Sequence, residues 1–187
     1  MASVLPPAAT YTPNLPKETI TEGKLSLAQL EAVVYAGQAH QEFLDDKVDA
    51  DAATKLGLKD GTAYRRGFFI GDGTGVGKGR EIGGIILDNQ RQGRKKAIWI
   101  SEKSGLLEAA KRDFEGVGGD PALVFGQKAT KATEATINNG DGILFTTYTT
   151  LKMGGDKPAS GKPATKGQLE KGLSAWHARG PEQWRGW

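Results

Sequence analysis

Short apolar runs alternate along the chain with segments whose apolar residues recur at helical spacing. Four runs have the length of buried strands: Gly67–Ile70, Lys96–Ser101, Ala122–Phe125 and Gly142–Thr146. The helices predicted between them run from about Gly77 to Arg91, from Gly105 to Phe114 and, with a weaker pattern, over Lys131–Asn138. Strands and helices of these lengths in alternation indicate an α/β fold with a mostly parallel sheet and right-handed crossovers.

The sequence before the first of these strands predicts an arm and one long helix. Residues 1–20 are rich in Pro and Thr and lack periodicity, which predicts an extended arm. A helix is predicted from about Leu27 to Leu44, because Ser26 and Gln29 have the spacing of a capping box. We therefore divide the chain into the arm, an α/β part over 21–151, and a basic segment over 152–187. That last segment predicts a loop followed by a helix over Leu169–Arg179 that completes the same lobe.

Composition and charge narrow the choice of function classes. The 187 residues are 37% hydrophobic and include no cysteine, which excludes disulfides and thiolate metal sites and fits a reducing compartment. No apolar stretch is long enough to span a bilayer, so we expect no membrane partner and a cytoplasmic location, with the nucleus as the alternative. The net charge is only +3, but basic residues cluster at 91–96 and after 152, whereas the first sixty residues are acid-rich. This asymmetry would suit an anionic polymer on one face, although solvated surface explains any single lysine.

The segment Gly71–Arg80 is a glycine-rich turn between a predicted strand and a predicted helix that begins with Gly-Lys. Backbone N–H groups at such a helix start point toward an anion, and the glycines let the backbone approach it. The segment therefore predicts a triphosphate-binding loop; the alternative is a flexible glycine turn. The pattern G-x-x-x-x-G-K-S/T is not fully met, because Asp72 replaces its first glycine and Gly79 its hydroxyl residue. That hydroxyl normally binds Mg²⁺, so other groups or water must hold any metal.

The chain resembles the strawberry notch family, a branch of the superfamily 2 helicase-like ATPases. Four blocks carry the resemblance in order along the chain: positions within Leu25–His40, then Gly67–Arg80, Gly93–Ser101 and Gly142–Tyr148. The family also has glycine after the phosphate-loop lysine, so Gly79 agrees with it. The resemblance covers about Leu25 to Leu151 and implies a three-layer, RecA-like phosphate-loop domain.

The resemblance also implies a site for ATP and Mg²⁺. Lys78 is the implied catalytic residue and would hold the β- and γ-phosphates. The implied cofactor-binding residues are Gln29, Asp72, Gly73, Thr74, Gly75, Val76, Gly77, Lys78, Gly79 and Arg80. Gln29 would contact adenine, although its capping-box position offers a purely structural role. Asp72 would orient the loop or the water around the metal, or only cap the loop; Arg80 would approach phosphate or form a surface salt bridge.

The same resemblance implies contacts with a nucleic acid, DNA in preference to RNA. The residues concerned follow two predicted strands: Ser101, Ser104, Thr146, Thr147 and Tyr148. Hydroxyl groups suit contacts to backbone phosphates, which position a strand without reading its sequence. Glu102 lies between the two serines and would repel phosphate, and β-branched residues are also ordinary at strand ends, so the structural alternative stays open.

ATP hydrolysis in this class needs an acidic pair at a strand end, and no apolar run of this sequence is followed by one. We therefore expect a fragment that holds most of the first of two ATPase lobes and lacks the second lobe. We expect no metal to be bound by His40 or His177, because neither has an acidic or cysteine partner at ligand spacing. The resulting hypothesis is the nucleotide-binding lobe of an ATP-dependent, helicase-like translocase, inactive alone. The alternatives are a non-catalytic nucleotide- or nucleic-acid-binding module, and a small phosphate-loop transferase, against which Gly79 argues.

Overall fold

The structure is a computed structural model, and it describes residues 6–47, 49–51, 61, 63–126 and 141–149. The helix predicted over Lys131–Asn138 and the basic segment over 152–187 lie outside these residues. Within them are four α-helices: α1 Lys17–Thr21, α2 Leu27–Ala39, α3 Lys78–Arg91 and α4 Leu107–Gly116. The strands are β1 Phe43–Lys47, β2 Ala63–Arg65, β3 Lys96–Ser101, β4 Val124–Gly126 and β5 Gly142–Thr147. Two 3₁₀ turns, Ser104–Leu106 and Pro121–Leu123, precede α4 and β4.

Three strands form a parallel sheet in the order β3-β5-β4. All residues of the central strand β5 are buried, which is typical of a parallel strand with neighbours on both sides. The parallel sheet and the mixed α/β class predicted from the sequence are therefore confirmed. β1 and β2 form a separate antiparallel pair that the sequence pattern did not predict.

The hydrophobic core joins three helices to one face of this sheet. On the sheet, Val124, Ile143 and Phe145 alternate with residues of the opposite face, as the two-residue strand period requires. Phe114 of α4 and Val33 of α2 pack into the same cluster and are almost fully buried. Helices on the other face, which a three-layer domain needs, stay a prediction.

Helix α3 lies between α2 and α4, and two glycines make this possible. A Cβ at Gly84 would lie 2.8 Å from Cγ2 of Val33 in α2, and one at Gly83 would lie 3.3 Å from the carbonyl oxygen of Asp113 in α4. Glycine in a helix interior costs about 1 kcal/mol relative to alanine, which the close packing offsets. These contacts position the start of α3, and with it the end of the glycine-rich segment.

The N-terminal arm is docked on α2 and α3. Buried Asp88 accepts hydrogen bonds from the Tyr11 hydroxyl at 2.7 Å and from the Asn14 backbone N–H at 2.6 Å. Burial, and then the carboxylate of Asp88, raise the pKa of the Tyr11 hydroxyl well above its ordinary value. A Cβ at Gly37 would overlap the Tyr11 ring, so glycine in α2 admits it. The described part of the arm contains no helix or strand before Lys17, where α1 begins within the predicted arm.

Several predicted element boundaries are wrong. The predicted strand Gly67–Ile70 does not form: no described strand lies beside it to pair with its backbone, and Phe69 is 88% exposed. Helix α2 ends at Ala39, because Phe43 begins β1 and pairs with Arg65 of β2 instead of extending the helix. Strand β4 begins at Val124, because Pro121 opens a 3₁₀ turn over the first predicted strand residues.

Candidate functional site

The glycine-rich segment forms an exposed loop that ends at the N-terminus of α3. Residues 71–77, which include Gly73 and Thr74, are exposed, and two glycines have positive φ angles: 91° at Gly75 and 93° at Gly77. Such angles are strained for other residues, so the loop path requires glycine at these two positions. A Cβ at Gly73 or Gly75 would meet nothing within 4 Å, so the backbone there is open to an approaching ligand.

The start of α3 leaves its backbone N–H groups without a side-chain cap. Its N-cap is Gly77, which has no side chain to accept a hydrogen bond from the first turn. Helix α2 differs, because Ser26 and Gln29 form the complete capping box that the sequence predicts. A helix start with free N–H groups attracts phosphate, both by hydrogen bonding and by the helix dipole.

Lys78 is the first residue of α3, and its side chain folds back along the loop. The ammonium group donates to the carbonyl oxygens of Asp72 at 2.9 Å and Gly73 at 2.7 Å. A lysine ammonium has three N–H donors, so one donor remains for a further acceptor such as a phosphate oxygen. Lys78 thus links the beginning of the loop to its end and keeps a positive charge within it.

Gln29 connects α2 to the same loop. Its side-chain N–H donates to the carbonyl of Val76 at 2.8 Å, while its side-chain oxygen accepts from the backbone N–H of Ser26 at 2.9 Å. The residue is buried, and both ends of its amide are bonded to protein. A contact with adenine stays a prediction; the role that the geometry supports is attachment of the loop to α2.

A buried carboxylate lies one turn into α3. Within the described residues, neither carboxylate oxygen of Glu81 has a hydrogen-bond partner, although the residue is fully buried. Burial, and then the negative charge of exposed Asp72, raise the pKa of Glu81, and the positive charge of Lys78 acts in the opposite direction. Asp72 therefore has two interactions here: its backbone carbonyl accepts a hydrogen bond from Lys78, and its carboxylate charge acts on Glu81.

Gly79 and Arg80 both face neighbouring elements. A Cβ at Gly79 would overlap Oδ2 of Asp113 in α4 and would lie 2.7 Å from its Cγ. Arg80 donates to the backbone carbonyl of Lys24 at 3.1 Å. Among the described residues Arg80 forms no ion pair, because its guanidinium is directed to this carbonyl. An approach of Arg80 to phosphate stays a prediction.

Three of the residues predicted to contact nucleic acid lie on β3 and β5 at the carboxyl edge of the sheet. In the register of β3 and β5, Ile100 lies beside Thr146 and Ser101 lies beside Thr147. Parallel strands place their carboxyl ends at the same edge, which brings together residues 46 positions apart in the sequence (147 minus 101).

The exposure of these residues differs. Ser104 and Tyr148 are exposed, and the Tyr148 side chain is 62% accessible. Thr146 and Thr147 are buried, and the hydroxyl of Thr146 has no hydrogen-bond partner among the described residues. The exposed members are thus the ones that a polymer could reach directly.

Sequence reasoning missed two acidic residues of this region, Glu81 and Asp113. Glu81 reads as an ordinary polar position of an amphipathic helix, and nothing in its sequence context signals burial. Asp113 lies more than 30 residues after the loop and comes next to Gly79 only through the packing of α4 on α3. The one available signal was Gly79 itself, because a glycine at a position that usually carries a side chain suggests that another group fills that space.

The described residues contain no group of three or more His, Cys, Asp or Glu side chains that could hold a metal ion. They also contain no helix that is both long and apolar enough to cross a membrane. Mg²⁺ commonly binds through one or two carboxylates together with phosphates and water, so a nucleotide complex does not need a larger cluster.

The α/β fold and the glycine-rich loop at a helix start define a P-loop domain. The family model of P-loop containing NTP hydrolase pore-1 matches residues 1–179, and the chain belongs to this family. Its curated relatives confirm the resemblance to the strawberry notch proteins.

The chain is 38% identical over 170 residues to protein strawberry notch homolog 1 of Gallus gallus, which is 89% of this chain and 12% of that protein. It is 40% identical over 155 residues to protein strawberry notch of Drosophila melanogaster, covering 81% of this chain and 8% of that protein. Protein FORGETTER 1 of Arabidopsis thaliana is 36% identical over 163 residues, covering 86% of this chain and 11% of that protein. The chain therefore spans about a tenth of the length of these relatives. No solved structure matches it.

Proposed function

We propose that this chain is the nucleotide-binding N-terminal lobe of an ATP-dependent, helicase-like nucleic-acid translocase. Membership of a P-loop NTP hydrolase family supports nucleotide binding. The observation that carries the proposal is the placement of Lys78, which begins an uncapped helix and keeps its ammonium group within an exposed glycine loop. In this role, the loop N–H groups and Lys78 hold the phosphates of ATP, and Mg²⁺, when bound, neutralises part of their charge.

The proposal assigns binding to this chain and turnover to a larger assembly. Among the described strands, β3 ends at Ser101 and β5 at Thr147, and neither is followed by an acidic pair that could position the attacking water. We therefore expect the chain to bind ATP without hydrolysing it at a measurable rate. Closure of a second lobe on nucleotide and nucleic acid would supply the missing groups.

The nucleic-acid contact belongs to the same proposal. Ser101 ends β3 and Tyr148 follows β5 at the carboxyl edge of the sheet, where open α/β sheets bind ligands, and Ser104 begins the turn after β3. Hydroxyl groups and an exposed aromatic ring suit a single strand, because phosphates accept hydrogen bonds and bases stack on rings.

Titration of the chain with ATP and Mg²⁺, beside Lys78→Ala, tests the nucleotide site. Loss of a charge-assisted hydrogen bond of about 1.5–3 kcal/mol predicts an affinity roughly 10- to 100-fold weaker for Lys78→Ala. Lys17→Ala is the control, because Lys17 is exposed on α1 outside the loop. Equal affinities of the chain and Lys78→Ala would contradict the assignment of the loop.

A further inference from the structure

The position after the phosphate-loop lysine is filled from another helix. At Gly79, any β-carbon would overlap Oδ2 of Asp113, so an oxygen of α4 occupies the space that a side chain of α3 would otherwise take. In the general phosphate-loop pattern this residue is Ser or Thr, and its hydroxyl oxygen binds Mg²⁺. A carboxylate oxygen from α4 therefore lies in the space beside Gly79, where that pattern has a hydroxyl side chain.

A hydroxyl oxygen and a carboxylate oxygen can both serve as ligands of Mg²⁺. Mg²⁺ prefers hard oxygen ligands, and it is held in proteins by one or two carboxylates plus substrate phosphates and water. Asp113 Oδ2 lies against the second residue of α3, immediately after Lys78, at the uncapped helix start. A ligand at that position would be next to the phosphates that the loop is proposed to hold.

The charges around the first turn of α3 also favour a cation. The negative charge of Asp72 acts on Glu81, which is buried without a hydrogen-bond partner among the described residues, and the Asp113 carboxylate lies against Gly79. Lys78 is the cation within the loop, while the Arg80 guanidinium is bonded to the carbonyl of Lys24. Carboxylates beside a polyphosphate repel it, and a bound divalent cation reverses that repulsion.

We propose that Asp113 supplies from α4 the Mg²⁺ ligand that other phosphate loops take from the Ser or Thr after the lysine. The proposal rests on the nucleotide-binding function and adds one residue to that site. Gly79 then has a defined role, because a side chain at this position would have to displace the Asp113 carboxylate from beside the start of α3.

The test measures how much Mg²⁺ strengthens ATP binding, as the ratio of affinities with Mg²⁺ and with EDTA. The full chain is compared with Asp113→Asn, Asp113→Ala and the double variant Gly79→Ser with Asp113→Ala. The ratio is expected to fall about tenfold in both Asp113 variants, while affinity in EDTA stays unchanged or rises. The double variant restores a hydroxyl oxygen next to Lys78 in the space that Asp113 leaves, and it is expected to regain most of the ratio. Glu115→Ala is the matched control, because Glu115 is an exposed carboxylate of the same helix.

The possible results separate this proposal from the function on which it rests. If the unaltered chain binds no ATP in either buffer, the nucleotide-binding function is wrong and the metal assignment falls with it. If the chain binds ATP and the Asp113 variants keep its Mg²⁺ ratio, only the metal assignment is overturned. Circular dichroism checks that each variant folds, and Asp113→Asn, which keeps the shape of the side chain, decides the matter if Asp113→Ala does not fold.

Discussion

The side-chain N–H of Gln29 donates to the carbonyl of Val76 at 2.8 Å, while the other end of the same amide caps its own helix. One side chain therefore fixes the start of α2 and the last turn of the phosphate loop relative to each other. The two residues are 47 positions apart in the sequence, so this hydrogen bond joins two distant parts of the chain. The loop conformation consequently depends on a residue outside the loop.

Replacement of Gln29 by Glu separates these two roles. The carboxylate keeps an acceptor for the Ser26 N–H but loses the donor and places negative charge against the Val76 carbonyl. We expect ATP affinity to fall about tenfold and the free energy of unfolding to fall by about 1 kcal/mol. Isothermal titration and thermal unfolding measure the two effects.

Ser26→Ala provides the complementary variant. It removes the cap and keeps the donor to Val76, so it should reduce stability by about 1 kcal/mol with little change in ATP affinity. If the two variants lower ATP affinity equally, the bond to Val76 does not support the loop.

Two glycines of the loop form a matched pair for a second prediction. Gly75 and Gly77 have nearly the same φ, 91° and 93°, but a Cβ at Gly75 meets open space and one at Gly77 lies 2.5 Å from Nε2 of Gln29. Gly75→Ala should lower the free energy of unfolding by roughly 1–2 kcal/mol, which is the cost of the left-handed backbone alone.

Gly77→Ala should cost about 1 kcal/mol more, because it also displaces the Gln29 amide from Val76. Chemical denaturation of the two variants under the same conditions gives the difference. Equal losses of stability would show that the amide moves aside without cost.

The local features of this chain could be predicted from its sequence, whereas contacts between distant elements could not. Ser26 and Gln29 are three residues apart, and their capping box forms as predicted. The strand predicted at Lys96–Ser101 forms over its apolar run, because β5 lies beside it as a parallel partner. The strand predicted at Gly67–Ile70 failed for the same physical reason: a strand forms only where a partner is beside it, and the run itself carries no information about its partner.

In the candidate site, too, features formed by residues close in sequence could be predicted, and contacts between residues distant in sequence could not. The glycine pattern located the loop and Lys78, because those residues are consecutive. The bonds from Gln29 to the loop and from Arg80 to the Lys24 carbonyl depend on how three helices pack. Asp113 reaches Gly79 through that packing, so neither residue type nor spacing predicts the pair.

Burial of Glu81 predicts an unusual dependence of stability on pH. Its pKa in the folded protein is raised above the ordinary 4.5, so the folded state keeps this proton to a higher pH than the unfolded chain does. The stabilisation is complete below the ordinary pKa and is lost as pH rises through the raised one. Glu81→Gln removes the titration, and we expect it to increase the free energy of unfolding at neutral pH by on the order of 1 kcal/mol.

Urea unfolding of the chain and Glu81→Gln between pH 4 and pH 8 (a range chosen to begin at about the ordinary glutamate pKa) measures this difference. Glu31→Gln is the control, because Glu31 is exposed on α2 and has no such burial. The difference between the chain and Glu81→Gln should grow with pH; a constant difference would mean that Glu81 titrates as an ordinary surface carboxyl.

The exposed ring of Tyr148 leads to the last prediction, on nucleic-acid binding. Tyr148 follows β5 directly, and the register of β3 with β5 places Ser101 beside Thr147 at the same edge. If a single strand lies along this edge, one base stacks on the ring while the serine hydroxyls contact phosphates. Base stacking on an aromatic side chain contributes about 1–3 kcal/mol, so Tyr148→Ala should weaken single-stranded DNA binding by roughly 5- to 150-fold.

Fluorescence anisotropy with a labelled oligonucleotide at low salt measures this loss. Tyr64→Ala is the matched control, because Tyr64 is 41% exposed on β2, in the separate antiparallel pair. Stacking does not release counterions, so the salt dependence of binding should be the same for the chain and Tyr148→Ala even though the affinity falls. An equal loss from both tyrosine variants would indicate non-specific adhesion of DNA to exposed rings. Loss from Tyr148→Ala alone would place the strand at the edge where β3 and β5 end, because Tyr148 follows β5 directly at that edge.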